Sequence, residues 1–201
     1  MYRAGLVVAT SGNVSARCGS EALAITASGR DYDSMTLNDI PVVTAYGDPI
    51  VGDAIPSTEM LMHVAIYAAR SDIGAVMHTH SVFASALAVA NQPIPAMIDE
   101  MVIHLGGEVQ VSDYAFPGTE ELGEQVVVAL GERNAVLIGN HGLVGVGKTP
   151  NDALQICQIV ERAAHIYTIA NSLGNPAPLS NDVIETEIEL FRMKRRAEEE
   201  Q

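Results

Sequence analysis

The sequence predicts one globular domain of α/β or α+β architecture, with helices layered around a single sheet. Its 201 residues have the length of one domain. Hydrophobic residues make up 48% of the chain, which is enough to fill a sizeable core. Short apolar runs alternate with segments of helical periodicity along the sequence. We therefore expect a single domain over residues 1–201, although the pattern leaves the order of the strands open.

Strands are predicted where short apolar runs are bounded by turn residues. In the first half of the chain these runs are Leu23–Thr26, Ile40–Thr44 and Ala75–Thr79. The turn signal Tyr46-Gly47-Asp48-Pro49 follows the second of them. In the second half the runs are Glu108–Val111, Ala135–Ile138 and Leu143–Val146.

Helices are predicted where apolar residues recur every three or four positions. The segments with this spacing are Ser57–Arg70, Val82–Ala90, Thr119–Gly131, Pro150–Ser172 and Asp182–Arg196. Thr119 and Thr149 are the expected N-caps of two of these helices, because a threonine hydroxyl can accept from the free N–H groups of a first turn. Val82–Ala90 is apolar on nearly every side, so we expect it to be buried.

The charge of the chain argues against two classes of partner. Acidic residues exceed basic ones to give a net charge of −14, which repels phosphate backbones and anionic lipid. No apolar run has the length needed to cross a bilayer. The two cysteines suit a reducing compartment. We expect a cytoplasmic protein with neither a nucleic-acid nor a membrane partner.

Three histidines have the spacing of metal ligands. His78 and His80 alternate along a predicted strand, so both imidazoles can point to the same face. His141 lies in the turn between two later strands, where it could complete a three-ligand site with an open position. Zinc suits such ligands first, with cobalt, manganese or iron as alternatives. A single histidine on an apolar strand is more often a core residue, so the interpretation depends on all three.

Small and acidic residues near helix and strand ends suggest the rest of a site. Glu59, near the start of a predicted helix, is either a dipole-favoured residue or a carboxylate that serves as ligand or general base. Ser57 and Thr58 are either caps or donors to an anion such as phosphate. The segments Ser11–Ser15 and Ala27–Arg30 are either ordinary turns or part of the same phosphate cradle. No nucleotide-binding glycine motif is present.

The pattern alone leaves a cupin-like oxygenase as an alternative. Such oxygenases also combine an H-x-H pair with a carboxylate and a later histidine. Their carboxylate follows the pair within a few residues, whereas Glu59 precedes His78 by nineteen. This order counts against the alternative.

Taken together, these segments resemble the class II aldolase/adducin family. The matching segments appear in the family's order and span nearly the whole chain: SGNVSAR (Ser11–Arg17), ITASG (Ile25–Gly29), PSTEMLMH (Pro56–His63), VMHTH (Val76–His80), PGTEEL (Pro117–Leu122) and NHGLVGVG (Asn140–Gly147).

The resemblance implies a fold and a set of site residues. The implied fold is a central, mainly antiparallel sheet with helices on both faces, assembled as a homotetramer with sites at subunit interfaces. His78, His80 and His141 match zinc ligands, and Glu59 matches the acid that coordinates zinc at rest and moves a proton in catalysis. The matching phosphate-binding positions are Gly12, Asn13, Ser28, Gly29, Ser57 and Thr58.

The resemblance also implies an activity. The expected enzyme is a zinc-dependent aldolase that cleaves a short ketose 1-phosphate to dihydroxyacetone phosphate and an aldehyde, through a metal-stabilised enediolate. The alternatives on the same site are a sugar-phosphate 4-epimerase, a dehydratase or a decarboxylase. A non-catalytic, adducin-like module is disfavoured because adducin's related domain lacks the metal ligands that are present here.

The sequence departs from the aldolase pattern in three places, and the first two affect the expected substrate. Asp99 stands where the pattern has a tyrosine, and it is either a solvated turn acid or a substituted acid or base. Lys194 aligns roughly with a second missing tyrosine. The N-terminal helix of the family is expected to be short or missing, because the GNVS turn begins so early in this sequence.

Overall fold

The fold is built on an eight-stranded sheet, seen in a computed structural model that describes residues 1–199. The last two residues of the predicted domain lie outside the described residues. The spatial order of the strands is β4-β3-β2-β1-β5-β8-β7-β6, and within the described chain every pair is antiparallel except β6–β7. The strands are β1 (Asn13–Cys18), β2 (Ala22–Ile25), β3 (Val42–Thr44), β4 (Pro49–Val51), β5 (Ala75–Thr79), β6 (Val111–Ser112), β7 (Ala135–Ile138) and β8 (Gly142–Gly147). The predicted, mainly antiparallel sheet is thus confirmed.

Helices cover both faces of this sheet, as the resemblance implies. They are α1 (Met60–Ala69), α2 (Val82–Val89), α3 (Asp99–Leu105), α4 (Glu120–Leu130), α5 (Pro150–Leu173) and α6 (Asn181–Glu199). Apolar residues of α1 and α4 form one core, and those of α2, α3 and α5 form the other. Helix α6 packs outside α3, with Phe191 buried against it. No helix in residues 1–199 is long and apolar enough to cross a membrane.

The alternation of β5 decides which side of the sheet carries the histidines. Ala75 and Met77 belong to the core under α2 and α5, whereas Val76 belongs to the core under α1 and α4. Successive side chains of a strand point to opposite faces, so His78 lies on the face of Val76. It therefore faces α1, whose N-terminus carries Glu59.

Several elements differ from the predictions. The segment interpreted as a turn at Ser11–Ser15 runs into β1, which the apolar pattern did not indicate. Helix α3 was also unforeseen. The predicted strand at Glu108–Val111 is shifted to β6, with an isolated bridge at Val109. Helix α1 begins three residues later than predicted, because Pro56 is held in a bridge with Ala27 and the chain turns before the helix starts.

The start of α5 offers a test of its predicted cap. The Thr149 hydroxyl accepts from the Asp152 N–H at 3.2 Å, and the Asp152 carboxylate accepts from the Thr149 N–H at 2.9 Å. Thr149→Ala should lower the free energy of unfolding by about 1 kcal/mol in urea denaturation, since it removes this capping box. Ser172→Ala near the helix end is the control, expected within about 0.5 kcal/mol of the wild type. Equal losses in the two variants would contradict the capping role.

Candidate metal centre

His78, in β5, and His80, directly after this strand, direct their Nε2 atoms toward one another. His78 is fully buried, and its Nδ1–H donates to the Leu143 carbonyl at 3.0 Å. A neutral imidazole carries one N–H, so this bond leaves His78 Nε2 as a bare acceptor. Burial, followed by the nearby His141 ring, lowers the pKa of His78 well below its usual value and also lowers that of His80. Both rings are therefore in the neutral form that binds metals.

Glu59 and His141 complete the group. The Nε2 atoms of His78 and His80 lie 2.8 Å apart. Glu59 Oε2 lies 3.3 Å from His78 Nε2, and its Oε1 lies 3.3 Å from His141 Nε2. One donor atom from each of these four residues falls within 4.8 Å of the others. Residues from α1, β5 and the turn before β8 thus converge on one point.

The donor set fits a divalent transition metal. Ligand atoms about 2.0–2.1 Å from a tetrahedral ion lie about 3.3 Å apart, which matches both distances from Glu59. The buried Glu59 Oε1 has no hydrogen-bond partner within the described chain. A carboxylate oxygen left unpaired among three imidazoles is costly unless an ion or a substrate engages it.

Two glycines allow the backbone to come this close. A Cβ at Gly142 would lie 2.5 Å from the Thr79 carbonyl and 3.2 Å from atoms of the His78 and His80 rings. Gly12 has a φ of +74°, and its Cβ would lie 2.6 Å from the His78 carbonyl. A side chain at either position would displace the strand that carries the histidines.

The small-residue turns lie at the same edge of the sheet. The bridge between Ala27 and Pro56 sets the Ser28–Gly29 turn beside Ser57 and Thr58. The Ser57 hydroxyl accepts from the Glu59 N–H at 3.2 Å. The Asn13 amide is buried and donates to Glu59 Oε2 at 2.8 Å. Phosphate binding at these positions stays a prediction.

The comparison with known proteins decides the family. A sequence profile described as the class II aldolase and adducin N-terminal domain matches residues 1–168. The chain belongs to the class II aldolase and adducin family.

Other class II aldolases are similar over nearly the whole chain. It is 36% identical over 194 residues to L-fuculose phosphate aldolase of Escherichia coli O6:H1, covering 96% of this chain and 89% of that protein. It is 35% identical over 188 residues to the 5-methylthioribulose-1-phosphate/5-deoxyribulose-1-phosphate aldolase of Rhodospirillum rubrum, covering 94% and 84%. A solved L-fuculose 1-phosphate aldolase superposes with a TM-score of 0.90 at 34% identity, covering 94% and 90%.

Asp99 lies outside the four-residue donor group in this class II aldolase. It is exposed in the first turn of α3. Burial and a hydrogen bond to the Asp99 carboxyl raise the pKa of Glu187 on α6. Within one chain, the structure therefore brings Asp99 to α6 and not to the histidines. Its role as an acid or base stays a prediction.

The raised pKa of Glu187 makes stability depend on pH. The folded protein holds this proton more tightly than the unfolded chain, so the contribution is full at low pH and is lost as pH rises through the folded pKa. The Tm of Glu187→Gln minus that of the wild type should therefore grow as the pH rises above 4.5, the ordinary pKa of a glutamate. Glu185→Gln, at an exposed neighbour on α6, is the control for the loss of one negative charge from this helix. A Tm difference between Glu187→Gln and the wild type that does not change with pH would contradict the raised pKa of Glu187.

Some residues beside the centre were missed by the sequence analysis. Tyr32 donates to the Gly12 carbonyl at 2.5 Å, and burial, followed by the Glu59 charge, raises its pKa to about 12. Ser15 and Tyr67 are buried next to His63. One signal was present, since Glu59, His63 and Tyr67 are spaced four residues apart and so share one helix face.

Proposed function

We propose that this chain is a zinc-dependent aldolase that cleaves a short ketose 1-phosphate to dihydroxyacetone phosphate and an aldehyde. The observation that carries the proposal is the convergence of three imidazoles and one carboxylate whose Oε1 is unpaired. The printed names of the similar enzymes, L-fuculose phosphate aldolase and 5-methylthioribulose-1-phosphate/5-deoxyribulose-1-phosphate aldolase, support a sugar-phosphate substrate.

The proposed ligands are His78, His80, His141 and, at rest, Glu59. A bound divalent ion supplies Lewis-acid stabilisation of negative charge on the substrate oxygens. Burial keeps the His78 imidazole neutral, and the hydrogen bond from its Nδ1–H to Leu143 fixes its tautomer and orientation. Burial excludes bulk water, which strengthens the interaction of the site with charge that develops during the reaction.

Glu59 is the proposed acid and base at carbon. When the bond between C3 and C4 of the ketose breaks, its electron pair remains with the fragment that keeps C1 to C3. Glu59 takes up a proton from solvent, and its Oε1 gives that proton to C3 of the fragment; in the reverse, synthetic direction it takes the proton from C3 and returns it to solvent. The C4 hydroxyl proton leaves as the aldehyde forms. Asp99 is the candidate to accept it, from a neighbouring subunit of the proposed homotetramer.

The proposed phosphate cradle relies on dipoles and not on cations. Backbone N–H groups at Gly12 and Gly29, with the hydroxyls of Ser28, Ser57 and Thr58, would hold the phosphate. The Ser28 N–H is already engaged by the Ile55 carbonyl, so at this position the proposal uses the side chain. The side chain of Asn13 is engaged by Glu59 and its backbone pairs with His78 in the β1–β5 ladder, so Asn13 would shape the cradle without donating to the phosphate.

Metal analysis paired with a coupled assay for dihydroxyacetone phosphate tests the proposal. The substrates are L-fuculose 1-phosphate, 5-deoxyribulose 1-phosphate and 5-methylthioribulose 1-phosphate. We expect about one zinc ion per chain and release from at least one substrate. Zinc-loaded protein that releases no dihydroxyacetone phosphate from any of the three would contradict the proposed cleavage.

A further inference from the structure

A strand face and a helix stripe meet beside the metal centre and bring five polar side chains together. Asn13 and Ser15 alternate on β1 and therefore point to the same side of the sheet. Glu59, His63 and Tyr67 follow one another at four-residue intervals along α1. All five residues are buried, and His63 is fully so. Buried polar groups need partners, and here each set supplies partners for the other.

These side chains form one unbroken series of hydrogen bonds. Tyr67 OH lies 2.9 Å from Ser15 Oγ, which lies 2.6 Å from His63 Nδ1. On the other side of the ring, His63 Nε2 lies 2.5 Å from Asn13 Oδ1. Asn13 Nδ2 then lies 2.8 Å from Glu59 Oε2. We call this series the Tyr67–Glu59 relay.

The chemistry of the donors gives the relay a single direction. A carboxylate only accepts, so Asn13 must present its NH₂ to Glu59 and its Oδ1 to His63. His63 must then carry its proton on Nε2, which leaves Nδ1 to accept from the Ser15 hydroxyl. Ser15 Oγ in turn accepts from the Tyr67 hydroxyl. Every donor in the relay therefore points toward Glu59.

The surroundings keep this direction fixed. Burial lowers the pKa of His63 to about 3, so the ring stays neutral with one proton. Arg17 lies 4.8 Å above the Tyr67 ring and donates to the Tyr67 carbonyl at 3.0 Å, which holds the far end of the relay in place. Reversing the Asn13 amide would set two oxygens against each other at Glu59, and no protein group described beside them would offset that repulsion.

We propose that His63 is a positioning residue that acts through Asn13 on the Glu59 carboxylate. The relay holds Oε2 beside His78 and so aims the unpaired Oε1 at His141. Since the relay serves the role that Glu59 has in the proposed function, this inference rests on that function. It assigns to His63, Ser15 and Tyr67 the role of orienting the Glu59 carboxylate. If these residues only filled the core, their hydrogen bonds would not need to run in one direction.

Two substitutions of His63 separate positioning from packing. Glutamine keeps one donor and one acceptor at this place, whereas leucine fills similar space and offers neither. The probe is Co²⁺ added to metal-free protein, whose visible absorption reports both affinity and coordination geometry. His63→Leu should weaken Co²⁺ binding about 10-fold to 100-fold and change the spectrum, and His63→Gln should restore both to near the wild type. In turnover, His63→Leu should lower kcat with little change in KM.

A matched pair of tyrosine variants provides the second measurement. Tyr67→Phe removes the first donor of the relay and should weaken Co²⁺ binding about two-fold to five-fold, less than His63→Leu does because the rest of the relay remains. Tyr167→Phe removes the same hydroxyl from α5, outside the relay, and should match the wild type. Near-native unfolding temperatures keep the comparison among folded proteins.

The outcomes distinguish this inference from the function beneath it. Wild-type Co²⁺ affinity and kcat in His63→Leu would overturn the positioning role and leave the metal site intact. Equal losses in His63→Gln and His63→Leu would also overturn it, because size and not hydrogen bonding would then matter. A wild-type protein that binds no Co²⁺ would overturn the proposed metal site and the inference together.

Discussion

Replacing His78 with alanine is expected to abolish stable divalent-metal binding and to lower aldol cleavage by more than about a hundredfold. This ring lies nearest the centre of the cluster, with contacts to both His80 and Glu59. Its removal leaves two imidazoles and an acid that belong to different elements of the fold. Loss of even an outer hydrogen-bond partner commonly costs 10-fold to 100-fold in affinity, so loss of the ligand itself should cost more.

Elemental analysis and the dihydroxyacetone phosphate assay on the same sample check this prediction. His165→Ala is the matched control, because that exposed ring stacks on Phe83 and is not one of the four donors. The control should keep both its metal and its turnover. Cleavage at the wild-type rate by metal-free His78→Ala protein would sink the metal-dependent mechanism.

Replacing Glu59 with glutamine should separate metal binding from proton transfer. The amide can still accept from Asn13 with its oxygen, which then sets its NH₂ where Oε1 now faces His141. Three imidazoles remain to hold the ion, so metal content should stay near one per chain. An amide cannot exchange a proton with carbon at neutral pH, so kcat should fall about 10²-fold to 10⁴-fold.

The metal content and kcat of Glu59→Gln are measured on one preparation, so that lost metal is not mistaken for lost chemistry. Glu100→Gln serves as the control, because that exposed acid pairs with Arg162 and lies outside the donor group. It should turn over like the wild type. Unchanged kcat in metal-loaded Glu59→Gln would remove Glu59 from the proton-transfer step.

The apolar pattern predicted the helices and strands whose buried side chains are apolar. Helix α5 starts at its predicted cap, Thr149, and β5 has the predicted bounds. Strand β1 was not predicted because its inward side chains, Asn13 and Ser15, are polar. Their hydrogen-bond partners lie on a helix distant in sequence. Helix α3 was not predicted because it has only seven residues and begins with two acidic residues, which are also typical of a turn.

Site residues that have a signal in their local sequence were easier to predict than residues that only the fold brings together. His78 and His80 needed only the two-residue period of a strand. His141 and Glu59 were candidates from their own local positions, and the family resemblance supported joining them to the pair, since no local rule connects a turn before β8 with the start of α1. The helix half of the relay left a signal in the four-residue spacing, but its link to the strand could not be foreseen, because Asn13 and Glu59 are joined only through the packing of α1 on β1. Asp99, chosen by alignment, lies beside Glu187.

The pairing of β5 with β8 has a consequence for how the protein folds during synthesis. This ladder joins Ala75–Thr79 to Leu143–Gly147, at the middle of the sheet. Contacts so far apart in sequence close late in folding, after local helices have formed. The nascent chain therefore carries His78 and His80 for some time before His141 arrives from the ribosome. An ion bound to all three would link the end of β5 to the turn before β8, so metal starvation should reduce the yield of folded chains as well as their turnover.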